Sequence, residues 1–258
     1  MARDSNQQVQ AVFDRRSLSY DHLDWVRDDE SLAGLADLAV PRPTDTFLDL
    51  ATGTGAVAET IAASVTLAVG VDLSLGMLRT RRSKSGFAVQ AMAERLPFSD
   101  DAFDLITCRN GLHHFCDPRA GIAEIRRVAR PGGRIVISES LVPEGSIRHF
   151  WRSVMEIKDT ARHPDMYFTA DEFCGYLNKH GLPVHSIRVC RRPFSLANWL
   201  DNGCIEPERQ DRIRKLLDGL TEARKRELHM STKDGEVWLL RRTAIVLSGR
   251  PRSRTASA

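Results

Sequence analysis

Phe47-Leu48-Asp49-Leu50-Ala51-Thr52-Gly53-Thr54-Gly55-Ala56-Val57-Ala58 reads as a short apolar strand that runs into a glycine turn and opens a helix. A second apolar strand, Leu67-Ala68-Val69-Gly70-Val71, is closed by Asp72. A βαβ unit of this kind lays a nucleotide-like cofactor over the glycines. Gly53 and Gly55 lack Cβ atoms, so the backbone there can turn sharply and lie against a ligand. Asp72 stands where a carboxylate accepts hydrogen bonds from both hydroxyls of a ribose. Gly53-x-Gly55-x-x-Ala58 also fits the dinucleotide fingerprint, so the glycines specify a nucleotide without specifying which one.

The alternation continues outward from this unit. A helix is expected near 55–63 and another near 75–82 with Ser74 as its N-cap. Phe87-Ala88-Val89-Gln90 and Asp104-Leu105-Ile106-Thr107-Cys108 make a third and a fourth strand. Asp117 is a good N-cap, Pro118 suits the first helical position, and Ile122, Ile125 and Val128 form a helical stripe ended by Pro131-Gly132-Gly133. Arg134 to Ser138 is a fifth strand. Regular strand–helix alternation specifies an α/β fold with a doubly wound, mostly parallel sheet.

The flanks read differently. Residues 6–40 are expected to be helical up to Pro41 and Pro43, so residues 1–45 form an N-terminal helical cap. After Ser138, helices are expected over 144–162, from the capping box Thr169-x-x-Glu172 to about 180, and over 196–203 and 206–228. Strands are expected at 186–190 and 237–247. The main domain then spans 46–247, with helical insertions near 140–165 and 196–228, and 248–258 is an Arg/Ser/Pro-rich tail of disordered composition.

Composition narrows the function. The 258 residues are 42% hydrophobic and 28% charged, as in a soluble globular protein. A net charge of +3 gives no reason to expect a nucleic-acid binder. The dense basic cluster Arg79, Arg81, Arg82 and Lys84 reads as a solvated helix end followed by a loop. Cys108, Cys116, Cys174, Cys190 and Cys204 are odd in number and widely spread, which points away from disulfides or structural zinc and toward a reducing compartment, the cytoplasm. No apolar stretch approaches the ~20 residues needed to span a membrane. No set of His and carboxylates is spaced in sequence as metal ligands, so no metal is expected.

Several segments together resemble the class I S-adenosylmethionine-dependent methyltransferases, in the small-molecule group that includes the ubiquinone and menaquinone C-methyltransferases. Asp49-x-x-x-Gly53-x-Gly55 is similar to that family's first motif, and Val71-Asp72-Leu73-Ser74-x-Gly76-Met77-Leu78 to its second. Ala93-Glu94-Arg95-Leu96-Pro97-Phe98 with Phe103-Asp104 resembles the third. Asn110-Gly111-Leu112-His113-His114-Phe115-x-Asp117-Pro118 and Glu124-x-x-Arg127-Val128-x-Arg130-Pro131-Gly132-Gly133 resemble the fourth and fifth. The resemblance implies a seven-stranded Rossmann-like sheet whose last strand, 237–247, runs antiparallel, with helical caps on the substrate side. It implies methyl transfer from S-adenosyl-L-methionine to oxygen, nitrogen or activated carbon of a small molecule, with no nucleic-acid partner and no membrane insertion, as a monomer or a homodimer.

On the same resemblance, cofactor contacts are expected at Tyr20, Arg27, Ala51, Gly53, Gly55, Asp72, Leu73, Met77, Ala93, Glu94, Arg109 and Asn110. Arg27 would pair with the cofactor carboxylate, or it is an ordinary surface arginine. Asp49 orients the glycine loop or touches ligand. Phe13 is expected in the core. Met92 replaces the family's usual Asp or Asn beside the adenine, and its thioether can pack on a ring face but accepts no strong hydrogen bond. His114 first and His113 second are the candidate bases, with Glu139 close by; either ring could instead pack under the cofactor. Arg148, Trp151, Arg152 and Met155 share a helix face that either holds a planar or anionic substrate or is solvated. Two rival readings stay open. One is a nicotinamide-dependent oxidoreductase, although Tyr176-x-x-Lys179 misses the Tyr-x-x-x-Lys spacing many such enzymes need. The other is a cofactor-binding protein that uses the scaffold for a non-methylating reaction.

Overall fold

A computed structural model of the chain describes residues 2–81, 86–201 and 205–250. Strands β1 (Thr46–Leu50), β2 (Leu67–Asp72), β3 (Phe87–Gln90), β4 (Phe103–Arg109) and β5 (Ala129–Leu141) pair in parallel. Strands β6 (Val184–Ser195) and β8 (Glu236–Gly249) complete the sheet in the order β3-β2-β1-β4-β5-β8-β6, with β8 antiparallel to both neighbours. This is the expected doubly wound sheet. An eighth strand, β7 (Ser231–Lys233), folds back on β8. Asp234 and Gly235, at φ 51° and 79°, make the turn. Asp-Gly is a local hairpin signal.

The strand period of two divides the core between the two faces. Phe47, Leu105, Val136 and Ile245 pack against α2 (Asp29–Ala39) and α3 (Ala56–Ile61). Leu48, Ile106, Ile135, Ile137 and Val246 face the other way, toward α5 (Pro118–Val128) and α7 (Ala170–Lys179). Ile122, Ile125 and Val128 of α5 are wholly buried, each contributing on the order of 2 kcal/mol. Asp117 caps α5 by accepting from the N–H groups of Arg119 and Ala120, and the Thr169–Glu172 capping box opens α7, both as expected.

The flanks depart from expectation at three places. The stretch 6–40 breaks into α1 (Ala2–Arg16), a 3-10 turn at Tyr20–His22, and α2 capped by Asp28. Residues 206–228 split into α9 (Pro207–Asp218) and α10 (Glu222–Glu227), because Thr221 restarts the helix as an N-cap. Strand β8 runs through Gly249, so Ser248 and Gly249 belong to the sheet and not to the tail; residues 251–258, Arg82, Lys84 and Cys204 lie outside the described residues. Helices α6 (Arg148–Lys158), α8 (Leu196–Leu200) and α9 form a second cluster with the far ends of β6 and β8 around Trp151, Phe194, Trp199 and Leu239. At the other end, α4 (Leu75–Thr80) is capped by Ser74. Asp14 of α1 accepts from the Ser74 hydroxyl at 2.5 Å and the Gly76 N–H at 2.9 Å, which fixes α1 across the carboxyl ends of the strands.

Candidate active site

The sheet order reverses between β1 and β4, and a cavity opens outside their carboxyl ends, where open α/β sheets bind ligands. Its floor is the glycine turn. Ala51, Gly53 and Gly55 all have positive φ, at 54°, 56° and 85°, and Asn110 at the end of β4 has φ 52°. Ala51 and Asn110 carry Cβ atoms in a conformation that costs about 1–3 kcal/mol each, and such strain concentrates where the chain is shaped for a ligand. Asp49 is buried behind the turn and accepts from the hydroxyls of Thr52 (2.6 Å) and Thr107 (2.7 Å). Burial pushes its carboxyl up to about 6 against those two bonds. Asp49 therefore orients the loop and does not face the cavity.

Asp72 does face it. One carboxylate oxygen accepts from Gly53 N–H and the other from Ser74 N–H, both at 2.8 Å. Burial raises its pKa to about 6, opposed by those two amides. Tyr20, Ala51, Gly53, Leu73, Met77, Ala93, Glu94, Arg109 and Asn110 share the wall with Asp72. Glu94 also accepts from the N–H groups of Cys116 (2.7 Å) and Asp117 (3.2 Å), tying down the loop before α5.

Two expected contacts are not on this wall. Gly55 is the N-cap of α3, its Cα packed against the Arg81 side chain. Arg27 turns away to pair with Asp21 (3.0 Å) and Glu59 (2.5 Å), as a partly buried, ion-paired arginine. Arg109 is the cation on the wall. It donates to the carbonyls of Val26 (2.9 Å) and Trp25 while its Nε is buried without a partner. Met92 is exposed, its sulfur accepting from Asn6, and Ala91 and Ala93 take the wall instead. Phe13 is not core: with Val9 and Asn6 it forms the α1 side of the cavity.

A second, larger cavity lies between the caps and the ends of β4, β5 and β8. Phe13, Tyr20, Asn110 and His114 line both cavities and mark their junction. A 3-10 turn at Leu112–His114 presents the two histidines. His113 Nδ1 bonds the Glu139 carboxylate, and both groups are buried. His114 Nδ1 bonds the Ala161 carbonyl at 3.1 Å, and its Nε2 lies 3.9 Å from Asp159. Burial holds both rings neutral, His113 well below its ordinary pKa and His114 at about 3, and nearby cations reinforce this. Burial raises Glu139 to about 7. Asp159, which burial alone would raise, is held below the usual carboxylate range by His114, Arg16 and Lys158.

His113, His114 and Asp159 bring potential ligand atoms within 4.8 Å of one another. The expectation that no such cluster exists is thus corrected: the sequence hides it because Asp159 comes from the end of α6. Arg16, Lys158 and Arg162 act on the same groups and oppose a bound cation. The expected substrate face of α6 also divides. Trp151 and Met155 line the cavity, whereas Arg148 forks onto Glu172 (2.7 and 2.8 Å) and Arg152 pairs with Glu156. Sequence reasoning missed Trp25, Asp159, Arg162, Trp199 and Arg241 on this wall. Arg241, directly after the apolar run Val237-Trp238-Leu239-Leu240, carried a signal; Trp25, Asp159 and Arg162 lie in ordinary polar stretches.

Comparison with known proteins agrees with this geometry. Residues 48–137 match the family model described as a methyltransferase domain. A demethylmenaquinone methyltransferase of Corynebacterium kroppenstedtii is 42% identical over 103 residues, covering 40% of this chain and 45% of that protein. The chain thus spans about half the length of the curated relatives it matches. The uncharacterized Escherichia coli protein YafE is 30% identical over 146 residues, 54% of this chain and 70% of that protein. Among solved structures, the YcgJ protein of Bacillus subtilis superposes with a TM-score of 0.77 at 22% identity, covering 87% of this chain and 99% of that one, which speaks to the fold. On these matches and the strand order, the chain belongs to the class I S-adenosylmethionine-dependent methyltransferase family.

Proposed function

We propose that this protein transfers the methyl group of S-adenosylmethionine to a small molecule bound in the larger cavity. The observation that carries this reading is the junction: a cavity floored by the glycine turn and Asp72 opens, past Tyr20, Asn110 and His114, into a second cavity with its own polar groups. The residues fit the cofactor. Each Asp72 oxygen spends one acceptor site on a backbone amide and keeps another for a ribose hydroxyl. A Cβ built on Gly53 would meet only the Tyr20 ring, at 3.7 Å, so the space above that Cα is open to a ligand. Arg109 replaces Arg27 as the cation for the carboxylate end of the cofactor.

Bound there, S-adenosylmethionine supplies a methyl group already activated by its sulfonium. The chain has to align the nucleophile with that methyl and exclude water. Phe13, Tyr20 and His114 close the junction to solvent. His113, whose Nδ1 proton is held by Glu139, keeps Nε2 free to accept a proton from a hydroxyl or amine acceptor. That pairing favours His113 over His114 as the base.

Cys108, Cys116, Cys174 and Cys190 are free, which supports a reducing, cytoplasmic setting. No helix among the described residues is long and apolar enough to cross a membrane. Isothermal titration with S-adenosylhomocysteine and with NAD tests the cofactor assignment. Micromolar binding of the former and none of the latter is expected, and the reverse result overturns the reading. Transfer of labelled methyl to a soluble acceptor separates catalysis from mere binding.

A further inference from the structure

The larger cavity is unusually rich in cations for a buried space. Arg16, Lys158, Arg162, Arg241 and Arg242 line it against Asp159 and Glu227, with Glu139 just behind His113. Lys158 is 8% exposed and makes no hydrogen bond among the described residues. Its Nζ sits between two tryptophan faces, 4.8 Å from the Trp199 centroid and 5.2 Å from that of Trp25. The Arg241 guanidinium lies 5.8 Å from the Trp25 ring centroid and gives one hydrogen bond, to Asn110 at 2.9 Å. Arg16 is 6% exposed and its Nε has no partner. Arg162 differs: it is tied to Ser140 and the Met166 carbonyl.

An ammonium in a mostly buried cavity with no hydrogen bond from the protein is poorly solvated, and cation–π contact offsets only part of that cost. Neighbouring cations raise it further. Burial, with Arg16, Arg241 and Arg162, lowers the Lys158 pKa to about 7 although Asp159 opposes the shift. A bound anion would relieve all of these terms at once. Tryptophans around a polar cavity can instead cage a cationic amine, but here Lys158 and Arg241 already cover the ring faces of Trp25 and Trp199.

We infer that the acceptor is an organic anion, its carboxylate or comparable oxyanion held by Lys158 and Arg241 beside the Trp25 and Trp199 rings. This inference rests on the larger cavity being the acceptor site of the proposed methyl transfer. The anionic group anchors the molecule at the α6–β8 side of the cavity, which leaves its far end to reach the junction at Tyr20 and His114.

The test is calorimetric titration of the full chain, saturated with S-adenosylhomocysteine, with 4-hydroxybenzoate, phenyl phosphate, methyl 4-hydroxybenzoate and tyramine. At least one of the two anions should bind about tenfold or more tighter than the neutral ester, and tyramine least of all. Lys158→Met, which replaces the unpaired charge with a side chain of similar length, should weaken the anion about tenfold or more and leave S-adenosylhomocysteine affinity unchanged. Arg241→Gln provides the same comparison of anion with ester, without the control on S-adenosylhomocysteine, if the lysine variant does not fold. Equal binding of anion and ester, tighter binding of tyramine, no binding by either anion, or indifference to both variants overturns the inference. Loss of S-adenosylhomocysteine binding with anion binding intact would instead count against the cofactor assignment.

Discussion

The Gly53 N–H donates to the Asp72 carboxylate at 2.8 Å, so the glycine turn after β1 and the acidic end of β2 are one hydrogen-bonded unit. The carboxylate that faces the cavity thus also fixes the loop beneath it.

Asp72→Ala removes both functions. Affinity for S-adenosylhomocysteine should fall by about 1–2 kcal/mol. Thermal stability should fall slightly, because the Gly53 and Ser74 amides lose their acceptor. Asp72→Asn, which keeps one carbonyl acceptor, should lie in between. Titration calorimetry on folded variants measures this, and wild-type affinity in Asp72→Ala would remove the ribose assignment.

Cofactor binding should depend on pH through the same group. Burial raises Asp72 to about 6 in the free protein. Ribose hydroxyls donate to the ionised form and so lower that pKa on binding. Affinity should be level above pH 6 and weaken as pH falls below it, by at most about tenfold per pH unit. A profile measured between pH 5 and 8 that stays flat argues against this linkage.

His113→Ala should lower turnover by roughly 10²–10⁴-fold and leave S-adenosylhomocysteine affinity near wild type, because His113 lines only the larger cavity. His114→Ala should change affinity and turnover together, since His114 lines both cavities and meets the Phe13 ring edge-on at 4.8 Å. If His114→Ala alone lowers turnover with affinity intact, the two roles are exchanged.

Glu139 is raised to about 7 by burial, and its ionised form is the one that holds the His113 proton. Turnover should therefore rise with pH through about 7 and level off above it. Glu139→Gln should abolish that step and lower the plateau. Comparing the two pH–rate profiles decides the matter; an unchanged step in the variant assigns it to another group.

Gly111→Ala tests a close approach and not a conformation. A Cβ at position 111 would fall 2.5 Å from the Ala51 Cβ and 3.1 Å from the Cys108 sulfur. The crowding should cost about 1–3 kcal/mol and lower the melting temperature by roughly 3–10 °C. Ala51→Gly in the same chain should restore part of the loss, because it removes the Cβ that is met and suits the positive φ at 51.

The sequence by itself determined the sheet and its ligand edge. Period-two burial at Phe47 and Leu48, the glycines at 53 and 55, Asp72 closing β2, and the Asp117 cap of α5 are local patterns, fixed by sterics and hydrogen bonding within a few residues. They were enough to locate the cofactor-type cavity and most of its wall. The tertiary structure alone decided what meets there from a distance. It turned Arg27 toward Asp21 and Glu59, drew Phe13 out of the core, and set Asp159 beside His114 and Lys158 between Trp25 and Trp199. No periodicity encodes such meetings. They depend on where α1 and α6 come to rest over the strand ends, which the Asp14 cap of α4 and the buried Trp151–Trp199 stack settle only once the chain is folded.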